Sequence, residues 1–202
     1  KVKGIDVNWM DEVFNNNAPT QSYELSVNGA TDKTNYYVSG GFFDQDGITF
    51  GSSFRRYNVR ANVENRAKEW LKLGTSTMLA YQETEQAVEG DYAIYAPISA
   101  SHFMLPSTND GTWKGSGVTP IEWLINNPIK YKTYKVISSV FAEVTPIEGL
   151  TIRSQFGVDY SHDTGFSTST PSYSLNAGLG SAGRSSLDNL TLTITNTVNY
   201  HF

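Results

Sequence analysis

The stretch that most restricts the fold is Phe54 to Val63, written FRRYNVRANV. Tyr57, Val59, Ala61 and Val63 fall on one parity, and Arg56, Asn58, Arg60 and Asn62 fall on the other without a break. Successive side chains of a strand point to opposite faces, so this segment presents a purely apolar row to one medium and a purely polar, cationic row to another. It reads as one stave of a wall between two solvents.

The same period of two returns along the chain. Tyr23, Leu25 and Val27 oppose Ser22, Glu24, Ser26 and Asn28, and Tyr36, Val38 and Phe42 oppose Asn35, Tyr37, Ser39 and Phe43. Gly40-Gly41 in that second stave suggests a bulge or a close backbone approach. Leu71, Leu73, Thr75, Thr77, Leu79 and Tyr81 oppose Lys72, Gly74, Ser76 and Gln82. Further on, Tyr134, Val136, Val140, Ala142 and Val144 share a face with Ile137 and Phe141 opposite, and Leu150, Ile152, Phe156, Val158 and Tyr160 oppose Thr151, Arg153, Gln155 and Asp159. The last stave sets Leu190, Leu192, Ile194, Val198, Tyr200 and Phe202 against a row of Thr, Asn and His. The pattern predicts about seven strands of about ten residues, the length a tilted strand needs to cross a bilayer.

Connections alternate in length: short at 29–33, moderate at 44–53, short at 64–70, very long at 83–133, short at 145–149 and long at 162–189. Outer-membrane barrels have short periplasmic turns and longer extracellular loops, whereas a soluble sandwich has no reason to sort its loops by end. Aromatic residues at strand ends point the same way: Tyr23, Phe54, Tyr57, Tyr81, Tyr134, Tyr160, Tyr200 and Phe202 sit where interfacial girdles place amphipathic rings. The predicted fold is therefore all-β, an antiparallel up-and-down transmembrane β-barrel whose seven strands form an arc of a larger barrel. An odd count of staves fits an arc, because a closed single-chain barrel has an even number. Residues 1–19 form an irregular lead-in with a short helical turn at WMDEVFNNN, and 20–202 form the barrel section with long extracellular loops at 83–133 and 162–189. Within the first of those loops PIEWLINN reads as a helical turn with its Pro near the start.

Composition excludes more than it assigns. Charged residues are 17%, below the roughly 25% of soluble domains, and the net charge of −5 carries no basic stripe, so nucleic acid is not expected as a partner. No apolar run approaches the roughly 18 residues of a spanning helix, so a membrane would be met as strands, and the missing leader implies that the mature N-terminus lies upstream or that the chain is a piece. Asp44 and Asp46 in DQDG resemble the start of a calcium loop, but the Glu at its twelfth position is missing, and an Asx turn is the better account. His102, His162 and His201 lack metal-ligand spacing, GTWKGSG is no P-loop, and nothing matches G-x-S-x-G. Neither enzyme activity nor a cofactor nor a metal is expected.

Trp9 to Tyr81 resembles the SusC/RagA-type TonB-dependent outer-membrane transporters of Bacteroidetes. The likeness rests on NWMDEVF, YELSVNGATDKTNYYVSGGFFDQDGI, SFRRYNVRANVE and WLKLGTSTMLAYQET, in the family's order, with VISSVFAEVTPIEGLTIRSQFGVDYS and LTITNTVNYHF resembling later strands. The resemblance implies an internal section of a barrel of twenty-two strands that imports oligosaccharides or peptides. It further implies a SusD-like surface lipoprotein as lid, and energy from the TonB complex through parts outside this chain. Aromatic platforms joined to polar side chains suit such cargo. The candidate substrate-binding residues are Tyr92, Tyr95, Trp113 and Trp123 from the long loop, with Arg56, Arg60 and Arg153 from the polar parity. Two other readings remain open on the residues alone. One is a self-contained small outer-membrane pore or adhesin, with residues 5–14 as an eighth strand. The other is a soluble carbohydrate-binding β-sandwich, which would tuck its apolar parity between two sheets.

Overall fold

A computed structural model describes residues 7–87, 97–103, 119–172 and 176–202. Seven strands follow one another in space as they do in sequence: β1 (Thr20–Ala30), β2 (Thr34–Asp46), β3 (Ser53–Lys68), β4 (Leu71–Gln86), β5 (Ile129–Ile147), β6 (Leu150–Ser169) and β7 (Ser181–Tyr200). Every neighbouring pair is antiparallel, and the sheet is open, with β1 and β7 as its two edges. The chain is thus an up-and-down arc of a larger transmembrane barrel.

Tight turns at one end fix the register, and a fixed register decides which side chains share a face. Glu69 and Trp70 alone separate β3 from β4, and Glu148 and Gly149 alone separate β5 from β6. Gly149 adopts φ +81°, a backbone geometry that glycine enters without a Cβ penalty. The ladder then aligns Val59 with Leu79, Leu79 with Val136, Val136 with Tyr160 and Tyr160 with Leu190, all on the apolar parity. These side chains have nothing packed over them: Val59 is 52% exposed and Leu79 50%. Stacked sheets would have covered them, so the sandwich alternative is overturned.

Strands run longer than the expected ten residues, from 11 in β1 to 20 in β6 and β7. Apolar alternation marks only the part of a strand with one greasy side. Beyond it the ladder continues through Ser, Thr, Gly and charged residues with no two-sided signature. For that reason the loop expected at 162–189 is mostly strand, the connection being 170–180, and the loop expected at 83–133 spans only 87–128. Asp44 and Asp46 likewise lie inside β2 and not in a turn, and Asp44 is held by Arg55 across the ladder at 3.0 Å. No register shift occurs at Gly40-Gly41; the two irregularities lie beside the tight turns, at Arg66/Lys68 and Val144/Ile147.

At the opposite end from the tight turns sits a small helical cap. Helix α1 (Trp9–Val13) takes Asn8 as its N-cap, whose side-chain oxygen accepts from the Met10 amide at 3.2 Å. The lead-in is strapped to the β2–β3 connection: Phe14 bridges Thr49, and the Phe50 amide donates to the Val13 carbonyl at 2.8 Å. Residues 9–13 therefore form a helix where an eighth strand was one expectation. Helices α2 (Pro97–Phe103) and α3 (Pro120–Asn126) complete the cap. Thr119 and Glu122 begin α3 as a Thr-x-x-Glu signature, the Thr119 hydroxyl accepting from the Glu122 amide at 3.1 Å, with Pro120 in the first turn. Val13, Ala87 and Leu124 form the core of the cap, with Phe14, Ile98 and Ile121 against them.

Candidate functional site

Two surfaces carry whatever this wall does. The polar face has Arg56, Asn58, Arg60 and Asn62 on β3, Gln82 and Ser76 on β4, Lys135 on β5 and Asp159 on β6. Most of its charge is neutralised across strands: Lys72 pairs with Glu64 at 2.9 Å, Lys135 with Asp159 at 3.6 Å and Arg153 with Glu143 at 3.5 Å. Amide and hydroxyl groups pair too, Ser76 donating to Asn62 at 2.7 Å. Opposite-charge pairs and hydrogen bonds between facing residues stabilise a sheet modestly each, and here they produce a wettable wall.

The proposed binding residues separate by height on this wall. Arg56 lies toward the loop end with its guanidinium 5.7 Å from the Phe43 ring centre. Arg60, four residues nearer the turns, contacts the Met78 sulfur at 3.6 Å. Neither has a carboxylate partner among the described residues. Arg153 stands at the turn end, 3.7 Å over the Phe141 ring and tied to Glu143 and Gln155. Phe141 in turn lies across Gly74, where any Cβ would come within 2.2 Å of the ring, so the missing side chain is what seats the aromatic. Arg153 is thus remote from the loop end, and the three arginines do not converge. Trp123 is half-buried on α3 in the cap. Tyr92, Tyr95 and Trp113 lie outside the described residues.

The apolar face carries an aromatic girdle that includes Tyr23, Tyr57, Tyr81 and Tyr134, expected from their places at strand ends, and two residues that were not, Phe42 and His162. Tyr23, Phe42, Tyr57, Tyr81, Tyr134 and His162 are successive register partners, one per strand from β1 to β6. Their rings form a continuous row, with centroid separations of 6.3, 5.1, 6.3, 4.9 and 6.5 Å. The row emerges only from the observed register, because two of its pairs span the longer connections and the tight turns after β3 and β5 each carry a one-residue register shift. Phe54 lies on the other face, against Phe43 at 5.9 Å, and so is no part of the girdle. Tyr160 sits one row closer to the turns, beside Val136 and Leu190.

Immediately beyond the aromatic row, two residues further along each strand, stands a row of alternating charge. Asp44 faces Arg55, Arg55 faces Glu83, and Glu83 faces Lys132. Glu85 and Lys130 form the next pair outward. Glu83 accepts from the Tyr81 hydroxyl at 2.6 Å and lies 3.4 Å from Lys132. The Tyr81 hydrogen bond, assisted by Lys132, holds the Glu83 carboxyl below the ordinary glutamate range, and Glu83 holds the Lys132 ammonium above the ordinary lysine range. From Tyr81 to Leu71 the apolar band runs along β4; ten residue steps are roughly 33 Å of strand, or about 25 Å of height at a tilt near 40°. That is the height of the lipid-facing band of an outer-membrane barrel, bounded by aromatics and then by charge.

This geometry defines a section of transmembrane β-barrel wall. Comparison with known proteins narrows the class. No protein-family model matches the chain. It is 26% identical over 212 residues to TonB-dependent receptor P3 of Formosa agariphila, covering 96% of this chain and 20% of that protein. It is also 28% identical over 153 residues to TonB-dependent receptor P26 of the same organism, covering 71% and 15%. Among solved structures it superposes on the RagAB peptide transporter with a TM-score of 0.85 at 27% identity, over 98% of this chain and 24% of that one. The RagAB peptide importer in its closed-closed and open-open states gives TM-scores of 0.81 and 0.83. The chain is similar to a section of a SusC/RagA-type TonB-dependent transporter, and it spans a fifth or less of the length of these curated relatives.

Proposed function

We propose that this chain is barrel wall and extracellular mouth of a TonB-dependent outer-membrane importer of oligosaccharides or peptides. The carrying observation is the two-faced arc: a lipid-facing band about 25 Å high, bounded by a girdle, backed by a wall of paired charges and amides. In this reading the tight turns are periplasmic, the cap faces outward toward a SusD-like lipoprotein, and the TonB complex acts through parts outside this chain. Support for peptide as cargo comes from the solved neighbours, which are named peptide importers. Arg56 and Arg60 meet cargo on the interior wall, because no carboxylate of the described residues occupies them, and Trp123 joins Tyr92, Tyr95 and Trp113 at the mouth. Arg153 completes the set as the residue nearest the exit.

Spin labels placed singly at positions 56 to 63 of the membrane-embedded protein test this. Dissolved oxygen, which partitions into lipid, should relax labels at 57, 59, 61 and 63, and a water-soluble nickel chelate those at 56, 58, 60 and 62. Uniform accessibility along the strand would sink the reading.

A further inference from the structure

The polar face twice seats an aromatic ring on a glycine, with different outcomes. Near the turns Phe141 lies across Gly74, and the Arg153 guanidinium closes over it at 3.7 Å from the ring centre. At the loop end, beyond the girdle, Tyr131 leans across Gly165, where a Cβ would come within 3.0 Å of its Cε1 and 2.5 Å of the Ser185 hydroxyl. Among the described residues no ring and no cation stacks on Tyr131, which is 39% exposed.

Tyr131 walls a groove of about 330 Å³, lined with it by Ile129, Gly165, Ser167, Gly183 and Ser185. These six share the parity of Arg56, traced across the ladder through Gln82, Thr133, Asp163 and Leu187. Phe166 and Arg184 also border the groove, from positions whose side chains the pleat turns to the other face. The hydroxyls of Tyr131, Ser167 and Ser185 have no hydrogen-bond partner among the described residues. Asp163 is not in the lining; it stands two residues from Gly165 on the same face and accepts from the Thr133 and Ser161 hydroxyls. No lysine or arginine shares that face within 129–133, 163–167 or 183–187.

We infer that this groove is a subsite for one ring of a neutral oligosaccharide. The inference rests on the importer reading proposed above and narrows its cargo. A pyranose ring has an apolar C–H face and a rim of hydroxyls that both donate and accept. The groove answers the first with an uncovered aromatic ring and the second with three hydroxyls of the same dual capacity, with an accepting carboxylate below them. An anionic ligand would meet Asp163 and no cation on that face. A peptide would need a row of free main-chain partners, and between β5 and β7 the facing groups are already paired in the ladder. The volume lies at the low end of the roughly 300–1,000 Å³ of small-molecule pockets, which suits a single ring.

The test uses the full-length protein that carries this section, in mild detergent, with neutral hexaoses of glucose, mannose, xylose and galactose as probes. Saturation-transfer NMR detects binding, and titration gives the affinity. At least one hexaose should bind. Tyr131→Ala should weaken it about tenfold, while Tyr131→Phe, which keeps the ring, should weaken it no more than about threefold. Gly165→Ala displaces the ring without removing it and should cost about fivefold; it decides the matter alone if Tyr131→Ala does not fold. Affinity unmoved in Gly165→Ala overturns the subsite, and so does an uncharged, end-capped hexapeptide that binds more tightly with the same dependence on Tyr131. If no hexaose binds while labels at 56 to 63 keep their period of two, this inference fails and the barrel reading stands; if that period is lost, both fail.

Discussion

The cap and the sheet are built from similar side chains and treat them in opposite ways. Among the described residues, the buried apolar side chains are Trp9, Val13, Ala87, Pro97, Ala100, Pro120 and Leu124, all in the cap or at its border, and none lies on a strand. Val13 has no exposed surface, while on the sheet Leu25 is 77% exposed and Ile194 is 70%. The cap is a structure made for water, folding its apolar groups against one another. The sheet leaves its apolar groups open on one face and lets an external apolar phase cover them. Its internal cohesion is the backbone ladder, as a membrane requires of any segment within it.

The sharpest way to break that contrast is to put a charge where each region keeps its apolar groups. Val59→Arg should cost about 2–4 kcal/mol of folding stability in bilayers, because Val59 lies in the lipid-facing band, whereas Asn58→Arg on the polar face should be close to neutral. Urea titrations of the protein in vesicles would show it. Equal costs at the two adjacent positions would mean that the faces do not meet different media.

Leu124→Ala probes the other regime. Leu124 packs with Val13 and Ala87, and removing its branched end should cost about 2–3 kcal/mol by loss of burial and a residual cavity. The loss should be local. Amide exchange should accelerate in α1 and α3 and stay unchanged in β3 and β4, since the sheet takes no support from that core. Acceleration across the strands would show that the two regions fold as one unit.

How much of this was legible follows from the same contrast. The sheet announces itself because a membrane-facing strand must alternate, and Tyr57 to Val63 does so against Arg56 to Asn62 without exception. Its ends do not, because residues 162–169 and 181–189 have polar side chains on both faces and are ordered by the ladder and by polar side-chain contacts such as His162 to Asp188 at 2.7 Å. The girdle was half legible. Tyr57 and Tyr81 were visible as aromatics at strand ends, but Phe42 and His162 join the row only once each hairpin is folded about its turn. The cap was legible only as separate pieces: WMDEVFNNN and PIEWLINN read as helical turns, but its core joins residues from 13, 87 and 124, and such a cluster has no period to read. Arg56 and Arg60 were correctly placed on the polar parity, yet parity carries no height, so Arg153 entered the same list although it stands at the other end of the wall.

A smaller effect sharpens the sheet side. Thr77 and Ser138 are the facing hydroxyls in the middle of the apolar parity, and their oxygens lie 2.8 Å apart. Each satisfies the other where water is excluded. Thr77→Val should cost about 1 kcal/mol by stranding the Ser138 hydroxyl, and adding Ser138→Ala should recover most of that, giving a positive coupling in a double-mutant cycle. Additive single costs would indicate that water reaches the pair and that the apolar band is interrupted there.

The smallest expected effect lies on the border row, outside the apolar band, where Glu83 is hydrogen-bonded by Tyr81 and faces Lys132. Its folded-state pKa is depressed relative to the unfolded chain. The contribution is therefore fully present above the ordinary glutamate value of about 4.3 and is lost as pH falls through the lower folded value. Because the pair is exposed, solvent screens it and the change in stability should be slight. The titration itself is the better readout: the carboxyl carbon of Glu83, assigned by its disappearance in Glu83→Gln, should titrate below the ordinary glutamate value. Tyr81→Phe should raise its midpoint toward that value, since it removes the largest cause of the shift while leaving the ring in the girdle. A midpoint unmoved by Tyr81→Phe would mean that the tyrosine hydroxyl does not reach across to the charged row, and that girdle and border are independent layers.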